Sequence, residues 1–470
     1  GSTGATADTG PFDQDQDGFV ASTDCDDIDP TVFPGAPDPT GDRVDADCDG
    51  VDGQAGRFIE GTWAFGELGR SMDAADIDND GMYEMVFGAP SSTVRVYDIM
   101  VDRGAVYLTD EALTVRDTIF GDVDFLQENF GLHAQFVTTP RGHRIAANIR
   151  KTHGDIITFI DPLRTDLDGA EAGDVYDARI EGSADINLPE TVTLASPVRG
   201  EVWIGTRHYP DVLTGPCRLV LADLDVEDAT TFELPVLGEA PGGGYGANVV
   251  GNERGTLVSQ ELADGAAGAA HWFSADATDF SLTEASRSWH GLAPYDLFGV
   301  SIALLNDPMG SLVVVGSPAD SSDHARGGRV YVLDPESADP SLEGALAVIH
   351  SSRDGDFVGR QVLAPGDLDG DGIDDLVVAA PWDVSLSPPD RGAVYIFRGP
   401  LRGDIELDDA DWAFYGTQDN ELTGFSLAAG HFDDDGRLDL AIGRPWYDDR
   451  QGLEMAGRVD QVLNKDMVWR

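Results

Sequence analysis

Asp367, Asp369 and Asp371 alternate along the chain, and Gly372, Ile373 and Asp375 follow them. Alternation lets three carboxylates converge on one point. Gly372 permits the sharp turn that brings the Ile373 carbonyl inward, and Asp375 closes the ring. A short loop offering only hard oxygen donors suits Ca²⁺, whereas Zn²⁺ would call for Cys or His. The loop leads straight into Leu376-Val-Val-Ala-Ala380, a run of small and β-branched residues stopped by Pro381. Such a run reads as a buried strand.

The unit recurs. Asp76, Asp78, Asp80, Gly81, the Met82 carbonyl and Glu84 lead into Met85–Pro90. Asp433, Asp435, Gly436, the Arg437 carbonyl and Asp439 lead into Leu440–Pro445, with His431 at the first position of that loop. The histidine is expected to weaken this third site or to leave one ligand position to a water. The segment at Asn306-Asp307 lacks the alternation, and no cation is expected there. In all three loops the cation is expected to hold a turn in place and to take no part in catalysis, because carboxylates fill its coordination sphere.

The strands that position these loops repeat with them. Gly104-Ala-Val-Tyr107, Gly328-Arg-Val-Tyr331, Gly392-Ala-Val-Tyr395 and the variant Gly457-Arg-Val-Asp460 each follow a loop-and-strand unit. Asp296-Leu-Phe-Gly299, Asp356-Phe-Val-Gly359 and Leu422-Thr-Gly424-Phe425 each precede one. Units of four strands in about 60 residues read as propeller blades. Weaker copies begin at Phe130-Gly131, with Ile145-Ala-Ala147 and Ile156–Phe159, and at Val202–Gly205 with Leu219–Leu221. A third begins at Tyr245-Gly246, with Thr256–Ser259 and His271–Phe273. The expectation is an all-β, seven-bladed propeller over residues 57–470, or six blades if one weak unit is wrongly split. Trp63-Ala-Phe65 matches Trp412-Ala-Phe414, so residues 58–65 are expected to close the last blade and remove two open edges.

Residues 1–11 are small and polar and read as a flexible leader. Residues 12–56 read as a separate acidic module, the alternative being a disordered acidic linker. Asp13, Asp15, Asp17 and Gly18 alternate in the same way, the Phe19 carbonyl falls at position seven, and Asp24 falls at position twelve, where an EF-hand places its closing carboxylate. Asp42, Asp45, Asp47 and Asp49 make a second cluster. The module is too small and polar to bury a core, so it calls for one or two Ca²⁺ ions and a staple, for which Cys25 and Cys48 are the natural pair. Cys217 stands alone and reads as a buried, inert thiol.

Charge narrows the partners. The 470-residue chain has 86 acidic and 30 basic residues, for a net charge of −56. This balance argues against nucleic acid and anionic membranes as partners, because both call for a basic surface, and it favours bound cations or cationic partners. Only two of the basic residues are lysine, Lys151 and Lys465. Apolar runs stop at strand length, short of the roughly 20 residues that a membrane helix needs. The chain begins without Met or an apolar leader segment, as expected if a signal peptide has been removed or left out.

Two resemblances emerge from these motifs. Asp13-x-Asp-x-Asp-Gly18, Asp24-Cys-Asp-Asp27, Pro34-Gly-Ala36 and Asp45-x-Asp-Cys-Asp-Gly50 resemble the MopE-type metal-binding motif of bacterial surface proteins, itself similar to thrombospondin type 3 repeats. That motif implies secretion and cation binding. The Asp-x-Asp-x-Asp-Gly loops, Gly88-Ala-Pro90 and Phe298-Gly299 resemble the FG-GAP β-propeller, the fold of the integrin α-subunit head. The likeness is clearest over residues 66–107 and 296–463. It implies about three loop cations, held by Asp76, Asp78, Asp80 and Glu84, by Asp367, Asp369, Asp371 and Asp375, and by Asp433, Asp435 and Asp439. It places them on the face opposite most ligand-binding loops.

Catalytic motifs find little footing. Gly-x-Ser-x-Gly, His-Glu-x-x-His and a phosphate-cradling Gly-Lys loop are missing from the sequence, and Gly242-Gly-Gly244 reads as a turn. Arg141, Arg144 and Arg150 make the densest basic group. Arg402-Gly403-Asp404 is a tripeptide that integrins bind, and in a chain rich in all three residues it reads as coincidence. Trp382, Trp446 and Tyr447 follow the strand ends where loops emerge, as partner contacts or as packing between blades. The function expected is non-catalytic adhesion to an extracellular protein or glycan by a secreted or surface-displayed chain, anchored, if at all, through a lipidated segment outside it. The alternatives are an extracellular enzyme of the polysaccharide lyase or phospholipase kind, and a purely structural surface component.

Overall fold

A computed structural model describes residues 29–33, 57–96, 99–122, 129–139, 142–149, 156–181, 201–204, 217–220, 245–277, 280–383, 391–449, 452–467 and 469. Asp13, Asp15, Asp17, Phe19, Asp24, Asp42, Asp45, Asp47, Asp49 and the Cys25–Cys48 pair lie outside these residues, as do Arg141, Arg150 and Lys151.

The second strand of each metal-loop unit is buried along its whole length: Glu84–Ala89, Asp375–Ala380 and Asp439–Arg444. A strand covered on both faces reads as a continuous apolar run, and that is why these segments were legible. Each pairs antiparallel with a first strand and a third. In blade 1, Ser71–Ala75, Glu84–Ala89, Ala105–Thr109 and Val115–Phe120 lie in order. Blade 2 comprises Ala134–Thr139, Gly142–Ile149, Ile156–Ile160 and Ala178–Glu181, and blade 3 Tyr245–Asn252, Gly255–Gln260, Ala269–Ser274 and Arg287–His290. Blade 4 comprises Ser301–Asp307, Gly310–Ser317, Arg329–Leu333 and Ala347–His350. Blade 5 comprises Gln361–Gly366, Asp375–Ala380, Ala393–Phe397 and Trp412–Tyr415.

Blade 6 is made from both ends of the propeller. Ser426–Gly430, Asp439–Arg444 and Arg458–Val462 are completed by Arg57–Glu60, which pairs antiparallel with Arg458–Gln461. The strand at this edge is Arg57–Glu60 and not Trp63-Ala-Phe65, which lies past it in the connecting turn. The glycines show the true alignment: Gly61 N–H donates to the Gly457 carbonyl just as Gly416 N–H donates to that of Gly392. Arg57–Glu60 is therefore the counterpart of Trp412–Tyr415.

The described residues make six blades, not the seven expected. The unit read at Val202–Gly205 and Leu219–Leu221 is a single hairpin, Glu201–Ile204 with Cys217–Val220, half the strands of a blade. First strands of successive blades meet in the order 3, 4, 5, 6, 1, 2. The core lies between blades. Val314, Val332 and Ile349 of blade 4 pack with Leu376, Val378 and Tyr395 of blade 5, and Val377 and Ile396 of blade 5 with Leu440 and Ile442 of blade 6.

The repeated Gly-Ala-Pro and Phe-Gly motifs meet at these seams. A Cβ on Gly88 would stand 1.8 Å from the carbonyl oxygen of Gly131 in the next blade, and one on Gly316 2.1 Å from that of Gly359. Only glycine admits so close a backbone. The serine that opens the first strand stitches the same seam. Ser71 Oγ donates to the Gly131 carbonyl (3.2 Å), Ser301 Oγ to Gly359 (2.7 Å) and Ser426 Oγ to Gly69 (2.6 Å).

Candidate metal centre

Each acidic loop joins the first strand of its blade to the second, and its closing carboxylate opens that buried second strand. Glu84, Asp375 and Asp439 are all buried there. The loop glycine takes a left-handed conformation, with φ 97° at Gly81, 89° at Gly372 and 74° at Gly436, which turns the backbone back on itself.

Loop N–H groups orient the carboxylates. Asp76 accepts from Asp80 N (3.0 Å) and Gly81 N (3.0 Å), and Asp367 accepts from Gly370, Asp371 and Gly372. Asp78 and Asp369 accept from the residue two further on, at 3.2 and 3.0 Å. Asp80 Oδ1, Asp371 Oδ1 and Asp435 Oδ1 each accept from the residue two further on, at 2.8 Å, turning Met82, Ile373 and Arg437 over the loop. Glu84 accepts from Ile77 N, and Asp375 from Leu368 N and Gly399 N.

Three groups of carboxylates converge: Asp76, Asp78 and Glu84; Asp367, Asp369 and Asp371; Asp433, Asp435 and Asp439. Within each, one oxygen per residue lies within 4.8 Å of the others. Oxygens bound to a single Ca²⁺ at about 2.3–2.6 Å can be no more than about 5.2 Å apart. The spacing and the hard donors therefore fit a metal ion in the first two loops. Asp80 and Asp375 border these groups without belonging to the tight triplet. Burial, with Asp369 adding to it, pushes the Asp375 carboxyl up to about 6. Burial does the same to Asp439, to about 6, with Asp433 and Asp435 beside it, and raises Glu84 as well. Burial and crowding shift these carboxyls towards the neutral form, and a bound cation would reverse that shift.

The third loop departs from the pattern. His431 Nδ1–H donates to the Arg437 carbonyl at 2.8 Å, engaging the backbone oxygen that would serve as a ligand. Lys465 Nζ sits 2.7 Å from Asp433 Oδ2. Neither contact was foreseen, although Lys465 is one of only two lysines in the chain.

Other sequence candidates resolve into structure. Arg402 pairs with Asp307 (2.9 Å), while Gly403–Glu406 forms a fifth, parallel strand on blade 4, where Asp404 meets His350 at 3.1 Å. The tripeptide is thus part of a sheet edge. Arg144 pairs with Asp177 at 3.4 Å. Trp382 packs on Phe357, Trp446 Nε1 donates to Glu67, and Tyr447 is buried.

Among the described residues the most exposed aromatic residues are different ones. Tyr295 is 74 % exposed and Phe65 52 %. Both lie in the turn that precedes a first strand, so they stand at the end of the blades opposite the acidic loops. Both are left-handed, with φ 71° and 59°, at the position that Gly355 and Asn420 hold in blades 5 and 6. Sequence patterning misses them because strain is not written in residue type.

Among the described residues no helix is long and apolar enough to cross a membrane. Residues 360–397 match the FG-GAP repeat family, and residues 24–53 match the MopE-type metal-binding motif. Integrin alpha pat-2 of Caenorhabditis elegans is 35 % identical over 114 residues, covering 24 % of this chain and 9 % of the relative. Integrin alpha-PS2 of Drosophila melanogaster is 32 % identical over 165 residues, 32 % of this chain and 11 % of the relative. The phosphatidylinositol-glycan-specific phospholipase D of Rattus norvegicus is 41 % identical over 151 residues, 31 % of this chain and 18 % of the relative. The chain thus spans less than a fifth of each of these curated relatives. The bladed all-β architecture, its repeated acidic loops and the matched segments together make the chain a β-propeller that carries an FG-GAP repeat at residues 360–397 and a MopE-type metal-binding motif at residues 24–53.

Proposed function

We propose that the chain is an extracellular, non-catalytic binding module whose propeller is stiffened by Ca²⁺ and whose partner, a protein or a glycan, docks on the end opposite the acidic loops. The observation that carries this reading is the pair Tyr295 and Phe65. The turn is left-handed at this position in all four blades, and where sister blades meet it with Gly355 and Asn420, an exposed aromatic residue carries a strain that Gly or Asn would avoid. Rigid aromatic residues on loops are effective anchors for a partner. The integrin alpha relatives support an adhesive role, and the net charge of −56 favours a partner with a cationic or neutral face.

Calcium has a structural part in this proposal. Held by Asp76, Asp78 and Glu84, and by Asp367, Asp369 and Asp371, it would neutralise carboxylates that otherwise repel, and so anchor the second strands of blades 1 and 5. Residues 12–56 are proposed as a separate cation-binding module ahead of a propeller that begins at residue 57, with Asp13, Asp15, Asp17 and Asp24 as its first ligand set.

The test is a glycan and surface-protein binding screen in calcium and again in EGTA, with Tyr295→Asn and Phe65→Asn as controls. A hit weakened by the variants supports the reading; a hit indifferent to both sinks the proposed face. The stretch shared with phospholipase D favours a second reading, an extracellular enzyme. Turnover in a parallel screen of phospholipids and polysaccharides would favour it over the first.

A further inference from the structure

Three acidic loops stand side by side on blades 5, 6 and 1, and the middle one is built differently. Its neighbours touch it directly. Tyr83 N–H, in the blade 1 loop, donates to the His431 carbonyl (2.9 Å), and the two rings meet edge to face at 5.6 Å. On the other side, Asn464 Nδ2 donates to the Leu368 carbonyl of the blade 5 loop (2.5 Å) and to the Leu438 carbonyl of the middle loop (3.1 Å).

The middle loop repeats the internal bonding of the others, with Asp435 N–H on Asp433 Oδ1 at 3.0 Å and Phe432 N–H on Asp439 Oδ2 at 2.8 Å. It differs where a cation would bind. The first carboxylate is replaced by His431, whose Nδ1–H is spent on the Arg437 carbonyl. The other oxygen of Asp433 holds the Lys465 ammonium at 2.7 Å, and Asp433 is itself only 10 % exposed. In the blade 5 loop the matching oxygen, Asp369 Oδ2, has Arg398 at 3.7 Å, outside hydrogen-bond distance. Nor is the lysine incidental. The chain meets its other cationic needs almost wholly with arginine, and an ammonium is the compact point charge that a planar guanidinium is not.

We propose that the Lys465 ammonium is the built-in cation of the blade 6 loop, which therefore keeps its shape without a divalent ion while the loops of blades 1 and 5 take one. The second half of this statement rests on the calcium reading above. The arrangement has an electrostatic logic. Three adjacent anionic clusters repel one another, and a covalently tethered positive charge in the middle relieves both neighbours whatever the calcium level. It also sits on the blade that joins the two ends of the propeller, Arg57–Glu60 and Arg458–Val462.

The test is hydrogen exchange on the full chain, following peptides that span 76–84, 367–375 and 431–439 in calcium and in EGTA. In the wild type, EGTA is expected to accelerate exchange in the outer two loops about tenfold or more and to leave 431–439 unchanged. Lys465→Met is expected to accelerate 431–439 by a similar factor in EGTA. Acceleration of 431–439 by EGTA in the wild type, or indifference to Lys465→Met, overturns the proposal. If no loop responds to EGTA, the calcium reading fails by itself, and the effect of Lys465→Met still decides the role of the lysine. Native mass spectrometry gives a second measure. Asp369→Asn should lose one bound calcium and Asp433→Asn none; loss of one with Asp433→Asn also overturns it.

Discussion

Asp460 and Tyr447 have exchanged places relative to their counterparts in blades 4 and 5. In blade 4, Tyr331 Oη donates to Asp320 Oδ2 at 3.0 Å, and in blade 5 Tyr395 bonds Asp383 in the same way. In blade 6 Asp460 holds the tyrosine's register, opposite Ile442 as Tyr395 is opposite Val378, and Tyr447 stands where the aspartate would be. Arginine fills the gap. Arg458 binds Asp460 (2.6 Å) and reaches Tyr447 Oη (3.4 Å), while Arg444 binds Asp460 (2.8 Å) and Glu421 (3.3 Å).

This buried network sets the first prediction. Asp460 and Glu421 are fully buried, and the two arginines nearly so. Removing one partner of a buried ion pair typically costs about 3–5 kcal/mol, because the other charge is left uncompensated. Asp460→Ala is expected to lower the urea unfolding free energy by that amount. A loss below about 1 kcal/mol would show that solvent reaches the arginines.

Calcium removal should be visible in the melting curve. A site filled at about 100 times its Kd adds roughly 2.7 kcal/mol to the folded state. The thermal midpoint is therefore expected to fall by several degrees in EGTA, and by less in Asp76→Asn or Asp367→Asn. An unchanged midpoint in EGTA would remove calcium from the account.

His271 makes blade 3 sensitive to acid. Burial, and then His290 beside it, hold its pKa down at about 4, while its ring is fixed by Ser288 (2.8 Å) and Gln260 (3.3 Å). Unfolded, the imidazole returns to about 6.5. Between these values the unfolded chain binds the extra proton, so stability falls as pH falls, by up to about 1.4 kcal/mol per pH unit. Above pH 6.5 the group contributes no slope. His271→Gln should flatten the urea midpoint between pH 6.5 and 4.5; an equally steep profile in the variant would assign the slope to carboxylates.

Tyr295 offers a separation of stability from binding. A left-handed conformation costs a residue with a Cβ about 1–2 kcal/mol, and Asn tolerates it best. Tyr295→Asn should match or slightly exceed the wild type in thermal midpoint while weakening partner binding. A clear loss of stability would mean that the ring packs on the fold.

What the sequence determined by itself is local. Each acidic loop of the propeller lies within nine residues at fixed offsets, and the strand behind it is buried on both faces, so both could be read directly from residue type. Blade by blade, Phe130, Tyr245 and Phe298 marked true repeats. What only the tertiary structure decided is how distant segments meet. The match between Trp63-Ala-Phe65 and Trp412-Ala-Phe414 misplaced the edge strand of blade 6, because register is set by backbone pairing with Arg458–Gln461 and not by aromatic content. Among the described residues, the middle of the chain shows a hairpin where a seventh blade was expected. Lys465 reaches Asp433 across 32 residues, Arg458 and Arg444 compensate a swapped pair, and Tyr295 holds a strained backbone angle. None of these has a periodicity to read, since each arises where the twist of one blade brings its loops against another.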